Sequence, residues 1–174
     1  MTHYNYQKDM RALWEYAVKT YESGNREPAS YFSKEQLEWM DANGLKVMDL
    51  YDFAEDFVSG GEPDFETFLM IAEARREYFR FVQKGEKSTQ VLDVDTLPAK
   101  TDEVDGIVWL PRILPKAKAK LRGELPPEIM YCCGGDRKFF KDRDLHPAEF
   151  LRVVWANMDD DAATIAWVKS CKAS

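Results

Sequence analysis

The chain has 174 residues, 45% of them hydrophobic and 13% aromatic, with a net charge of −7. That length is one domain or two small ones, with apolar content enough for a core. The acidic balance argues against general binding of nucleic acid or anionic membrane, and no apolar run approaches the roughly 20 residues that span a bilayer.

The start, MTHYNYQKDM, lacks an apolar stretch behind a basic end, so no signal peptide is expected and the cytoplasm is the expected compartment. Asn5 can cap a first helix, along which Met10, Leu13, Trp14, Ala17, Val18 and Tyr21 recur at three- and four-residue steps. Gly24 ends it. Ser33 and Gln36 have the spacing of a capping box, opening a helix with Leu37, Trp39 and Met40 that Asn43-Gly44 stops. A helix from Leu45 to Val58 turns Val47, Leu50, Phe53, Ala54 and Phe57 inward, and Gly60-Gly61 breaks it. Pro63 suits a first helical turn. The longest helix is expected from Asp64 to Lys84, with Phe65, Phe68, Leu69, Ala72, Phe79 and Val82, capped by Gly85.

Residues 89–95 alternate like a strand, with Ile107-Val108-Trp109 as a partner; a short β-hairpin and an extended linker both fit 89–109. A helix from Leu110 to Arg122 follows, with Pro111 in its first turn and Pro115 either kinking it or marking its start. Gly123 closes it, and Pro126-Pro127 forces a loop. Gly134-Gly135-Asp136 leads into a short helix with Phe139 and Phe140. His146-Pro147 starts another, with Phe150, Leu151, Val153 and Val154 inward, and Asp159 to Asp161 cap a last helix with Ile165, Trp167 and Val168.

The expected fold is therefore mainly α, a multi-helix bundle of short hairpins. It divides into an N-terminal helical part, 1–87, and a C-terminal part, 88–174, packed separately or as one globular unit. Met40, Leu45, Leu50 and Phe53 match Phe140, Leu145, Phe150 and Val153 at a constant offset of 100, with Asp49 and Glu149 in register; Phe68 and Ile71 match Ile165 and Val168 at 97. One three-helix unit used twice would produce this, as would chance spacing of short hairpins.

The run from Trp109 to Glu124, Trp-Leu-Pro-Arg-Ile-Leu-Pro-Lys-Ala-Lys-Ala-Lys-Leu-Arg-Gly-Glu, resembles the signature of a bacterial family, number 5069 of the domain-of-unknown-function series. The Tyr131-Cys132-Cys133-Gly134-Gly135-Asp136-Arg137 loop, Phe139-Phe140 and the helices from His146 to Val168 extend the likeness, and Met48 through Tyr78 is similar to longer members. The chain departs from the pattern at Pro115 and in the doubled glycine. The resemblance implies a helical fold and no mechanism.

Two clusters are candidate sites. Arg112, Lys116 and Lys120 recur every four residues, with Lys118 and Arg122 across the same helix. Like charges so spaced repel by a few tenths of a kcal/mol per pair, which an anion would offset; pairing with Asp52, Glu55 or Asp56 would do the same. Cys132, Cys133, Gly134, Gly135, Asp136 and Arg137 form the second. Glycines at a helix start expose amides to an anion, and a cysteine there would be an acidified nucleophile; alternatively the glycines only make a turn and Asp136 caps the helix. The charge is also uneven: residues 1–87 carry 17 acids and 11 bases, residues 111–152 10 bases and 6 acids, so an anion would meet the second half.

The three cysteines fit neither a disulfide framework nor a zinc site, and no metal or cofactor is expected. His146 reads as a helix cap or as a side chain facing water. Asp93 and Asp95 lack the rest of a calcium loop, and the Cys171-Lys172-Ala173-Ser174 tail is a poor prenylation box because Lys172 is not aliphatic. Two functions remain: a non-catalytic helical module that binds a protein or a second copy of itself, and a binder of, or enzyme acting on, a small phosphorylated or carboxylated metabolite.

Overall fold

The computed structural model describes residues 3–171; the last three residues of the Cys-Lys-Ala-Ser tail lie outside them, as do the first two of the chain. Among the described residues there are eight α-helices and one two-stranded antiparallel sheet. No helix is long and apolar enough to cross a membrane.

The first four helices are α1 (Tyr6–Glu22), α2 (Lys34–Ala42), α3 (Val47–Gly60) and α4 (Phe65–Phe81). All six stripe residues expected on α1 are buried, yet Asn5 precedes it without a side-chain capping bond. The Ser33–Gln36 capping box forms at α2, where only Met40 is fully buried. Pro63 lies before the cap of α4 rather than in its first turn, because Asp64 takes the cap by accepting from the Thr67 amide. The helix ends at Phe81, so Val82 is left exposed.

Residues 89–93 run without a strand partner, tied to the end of the basic helix by the Leu92 amide, which donates to the Glu124 carbonyl at 2.8 Å. The hairpin sits later: β1 (Glu103–Val104) pairs with β2 (Ile107–Val108). Its two-residue turn, Asp105-Gly106, has φ of 52° and 76°, the mirror-image turn that matches strand twist and that Asp-Gly favours. That dipeptide was the local signal; the alternation over 89–95 was not.

The basic helix α5 (Leu110–Arg122) runs through Pro115. Proline there only removes the donor to the Pro111 carbonyl, near the helix start, and burial of Ile113, Leu114, Ala117 and Leu121 holds the rest. Helices α6 (Gly134–Lys141), α7 (Pro147–Ala156) and α8 (Asp161–Ser170) follow. His146 caps α7 through Nδ1, which accepts from the Ala148 amide at 3.2 Å, and Asp160 caps α8.

The offset of 100 extends beyond the positions named above. The Leu45 amide donates to the Met40 carbonyl and the Leu145 amide to the Phe140 carbonyl, both at 2.9 Å, around left-handed residues Gly44 and Asp144. Tyr31 and Tyr131 are both buried two residues before the helix caps Ser33 and Cys133. Buried pairs continue through α1 and α5: Met10 with Leu110, Leu13 with Ile113, Ala17 with Ala117, Tyr21 with Leu121. The matching order is thus α1 to α4 against α5 to α8, one helix more than the sequence pattern suggested. Helix α1 packs on α3 and α5 on α7, while α4 lies against both α5 and α7.

Trp109 enters α5 with a left-handed φ of 75°, which turns the chain from the hairpin into the helix. Its ring lies on Gly135, where an added Cβ would come within 2.4 Å of the indole Cζ2. At Gly134 the nearest atom would be 3.8 Å away. Gly135→Ala is therefore expected to cost about 1–3 kcal/mol by overpacking, read as a lower urea midpoint, while Gly134→Ala leaves stability level or raises it by about 0.5 kcal/mol. Equal effects at both glycines would refute this packing account.

Candidate functional site

The cations of α5 are largely consumed inside the protein, by partners other than those expected. Lys116 donates to Asp136 at 2.6 Å with both side chains buried, Lys120 to Asp49 at 2.5 Å, and Lys118 pairs with Asp161 at 2.7 Å. Arg112 donates to the Pro98 carbonyl at 2.7 Å. Of the acids expected to serve, Asp56 is used, but by Arg137 of α6 at 2.6 Å. Arg122 makes no side-chain ion pair among the described residues.

Asp136 gathers the second cluster. It lies in the first turn of α6, fully buried, while Cys133 occupies the cap position assigned to Asp136 from the sequence. One carboxylate oxygen accepts from Lys116 and from the Cys132 amide at 2.9 Å; the other accepts from Trp109 Nε1 at 2.9 Å. Three donors satisfy the carboxylate, which is what makes burying this ion pair tolerable. Cys132 is buried in a left-handed conformation. Burial, with the Asp136 charge next, pushes its thiol up to about 12, the reverse of an acidified nucleophile. Cys133 Sγ lies 3.5 Å from Lys116 Nζ. So Lys116, Cys133 and Asp136 converge, with Cys132 joined by its backbone, while Arg112, Lys120 and Arg137 turn to separate partners.

Trp109, Lys116 and Asp136 thus form one hydrogen-bonded unit, with Gly135 packed against the indole. Residues 95–173 match the model of DUF5069, a domain of unknown function. This stretch is similar to the DUF5069 domain. Neither the curated proteins nor the solved structures contain a match to the chain.

A different cluster forms where α5, in the stretch similar to DUF5069, meets α3 and α4. Lys46, Asp49, Asp52, Arg75, Lys120 and Gly123 are among the residues around a small, partly open cavity of about 30 Å³. Arg75 is 3% exposed. Its Nη1 donates to Gln83 Oε1 at 2.7 Å and to the Leu121 carbonyl at 2.9 Å, while its Nε is buried with no protein partner. Burial pulls the guanidinium down to about 10, so it stays charged at neutral pH. Lys120 Nζ also stands 5.8 Å from the Phe53 ring centroid. Burial pushes the Asp49 carboxyl up, but the charge and hydrogen bond of Lys120 outweigh it and hold it below its ordinary value. Burial, then the Asp49 charge, raises Asp52 to about 7.

Sequence reasoning overlooked Arg75, although a signal existed. Phe68, Ala72, Arg75 and Phe79 fall at steps of four, three and four, which sets a guanidinium on the buried face of α4. Among the described residues no three His, Cys, Asp or Glu side chains gather as metal ligands.

Two outcomes follow. Asp136→Ala strands the Lys116 ammonium in the core and is expected to cost about 3–5 kcal/mol in chemical denaturation, with the Lys116→Met/Asp136→Leu pair costing clearly less; a double variant as damaged as the single one would contradict this. For Asp52, the native carboxyl keeps its proton to about pH 7 while an unfolded one loses it near its ordinary 3.8. The native state then binds more protons between those values, so stability falls as pH rises through that window. Asp52→Asn should raise stability at pH 8 by on the order of 1–3 kcal/mol, discounted for its partial exposure, and change little at pH 3. A gain independent of pH would show that Asp52 is an ordinary carboxylate.

Proposed function

We propose that the protein is a non-catalytic helical module that binds a small organic anion, and that the site is the cavity at Arg75, Lys46 and Lys120. The observation that supports this reading is the buried, unpartnered Arg75 Nε beside that cavity. A donor so placed costs on the order of 1–3 kcal/mol when nothing accepts from it, and a charged acceptor offsets that cost. The wall carries three cations, with Lys120 and Asp49 paired and Asp52 neutral for part of the physiological range. Lys120 is the one residue shared with the basic-helix cluster read from the sequence. In this reading Arg112, Lys116, Cys132, Cys133, Gly134, Gly135, Asp136 and Arg137 serve the fold rather than the ligand. We place the activity in the bacterial cytoplasm, on the family resemblance and on the three free cysteines.

The test is thermal shift and calorimetry at low salt with acetate, inorganic phosphate and sulfate. Binding to the native state alone raises stability by about 2.7 kcal/mol at 100 times Kd, a rise of several degrees for a chain of this size. Lys46→Gln, at a side chain largely in solvent, should weaken binding about three- to tenfold without lowering the melting temperature of the free protein. Ionisation of Asp52 adds a negative charge near Asp49, Glu55 and Asp56, so affinity should fall from pH 6 to pH 8 in the natural chain and stay level in Asp52→Asn. No shift with any of the three anions at 10 mM or above, an amount chosen on the order of weak-site affinities, would end this reading.

A further inference from the structure

The small cavity shares Lys46, Arg75 and Gly123 with an outer cleft of about 320 Å³, within the size range of small-molecule sites. The two walls of that cleft differ from the inner cavity. Leu37 and Leu45 come from the α2–α3 hairpin, and Val91 from the segment tied to Glu124. Leu37 and Val91 are 39% and 64% exposed, so apolar surface stands open to solvent beside a charged recess. The Lys87 charge at the rim is already paired with Asp41.

We propose that the bound anion is an aliphatic monocarboxylate, its carboxylate on Arg75 and its hydrocarbon chain along Leu37, Leu45 and Val91; this rests on the anion-binding reading above. Three features of the site select that ligand. Nη1 gives its hydrogen bonds to protein acceptors, Nε is sealed from solvent, and Nη2, which lies near Gly123, makes none among the described residues, so Nη2 is the donor left for a ligand. A single N–H of a guanidinium takes one carboxylate oxygen in a charge-assisted hydrogen bond. The inner cavity has room for little more than one or two atoms' worth of water-sized volume, which admits a carboxylate end and crowds a tetrahedral phosphate. Asp49 and Asp52 on the same wall disfavour a dianion more than a monoanion.

Calorimetry with acetate, butyrate and hexanoate, and with butyl phosphate as the phosphomonoester arm, tests the assignment at constant ionic strength. Affinity should rise about threefold per added methylene, because each buried methylene contributes close to that factor, and hexanoate should bind more tightly than butyl phosphate. Val91→Ser, at an exposed position, adds no charge and should flatten the dependence on chain length, lowering hexanoate affinity more than acetate affinity. If acetate and inorganic phosphate bind but chain length has no effect, or butyl phosphate binds more tightly than hexanoate, the anion site stands and the aliphatic carboxylate is wrong. If none of the ligands binds, both the site and its ligand are wrong.

Discussion

The buried contact between Lys116 and Asp136 is the constraint around which the C-terminal half is arranged. An ammonium and a carboxylate taken out of water each lose several kcal/mol of hydration. The carboxylate recovers it only because the Cys132 amide and the Trp109 indole complete its coordination. Each of those donors demands something of the chain. The indole must lie against α6, so Gly135 carries no side chain. Trp109 must turn sharply out of the hairpin, so it accepts a left-handed backbone. Cys132 must present its amide inward, so it too is left-handed and its thiol is sealed in. The residues that looked most like a reactive loop are thereby committed to holding three elements together.

Much of this fold could be read from residue spacing, because burial of one apolar stripe per helix is a local, periodic property. The stripes of α1 and α5, that of α7 apart from the half-buried Val153, and the caps at Ser33, His146 and Asp160 follow from short-range rules and appear in the structure where those rules put them. Pairing was not legible in the same way. The partners of Lys116, Lys120 and Lys118 lie 20, 71 and 43 positions away in the chain, and no local pattern distinguishes Asp136, Asp49 or Asp161 from other acids. The strand misplacement at 89–95 has a similar origin: alternation shows that a segment could pair, while the Asp-Gly turn decides where it does.

The two halves share a register and differ in how they secure it. At the start of α2, Gln36 returns a neutral hydrogen bond to the Ser33 amide at 2.8 Å, on the surface. At the matching position of α6, Asp136 returns a charged one to the Cys132 amide and takes Lys116 as well. A surface box is worth about 1 kcal/mol, whereas breaking a buried pair costs several times that. The C-terminal half therefore carries the greater penalty for change at the positions from Trp109 to Asp136 that build this pair.

The same division bears on where function can reside. Lys120 and Gly123, in the stretch similar to DUF5069, lie on one side of the cavity, and Lys46, Asp49, Asp52 and Arg75 on the other, outside the matched residues 95–173. The signature unit, by contrast, lies wholly within that stretch. A ligand site assembled at the seam needs both halves docked in one geometry, and the contacts of α4 with α5 and α7 supply that docking. Arg75 has a part in both, since its bond to the Leu121 carbonyl fastens α4 to α5 while its Nε remains unpartnered. Under the proposed anion-binding reading, a guanidinium that fastens α4 to α5 on the wall of this cavity would couple occupancy to their packing, because an acceptor would offset a charge that otherwise sits desolvated at the joint. The ligand would then strengthen the interface it occupies, and the stability of the α4–α5 contact becomes the quantity through which binding is felt by the rest of the molecule.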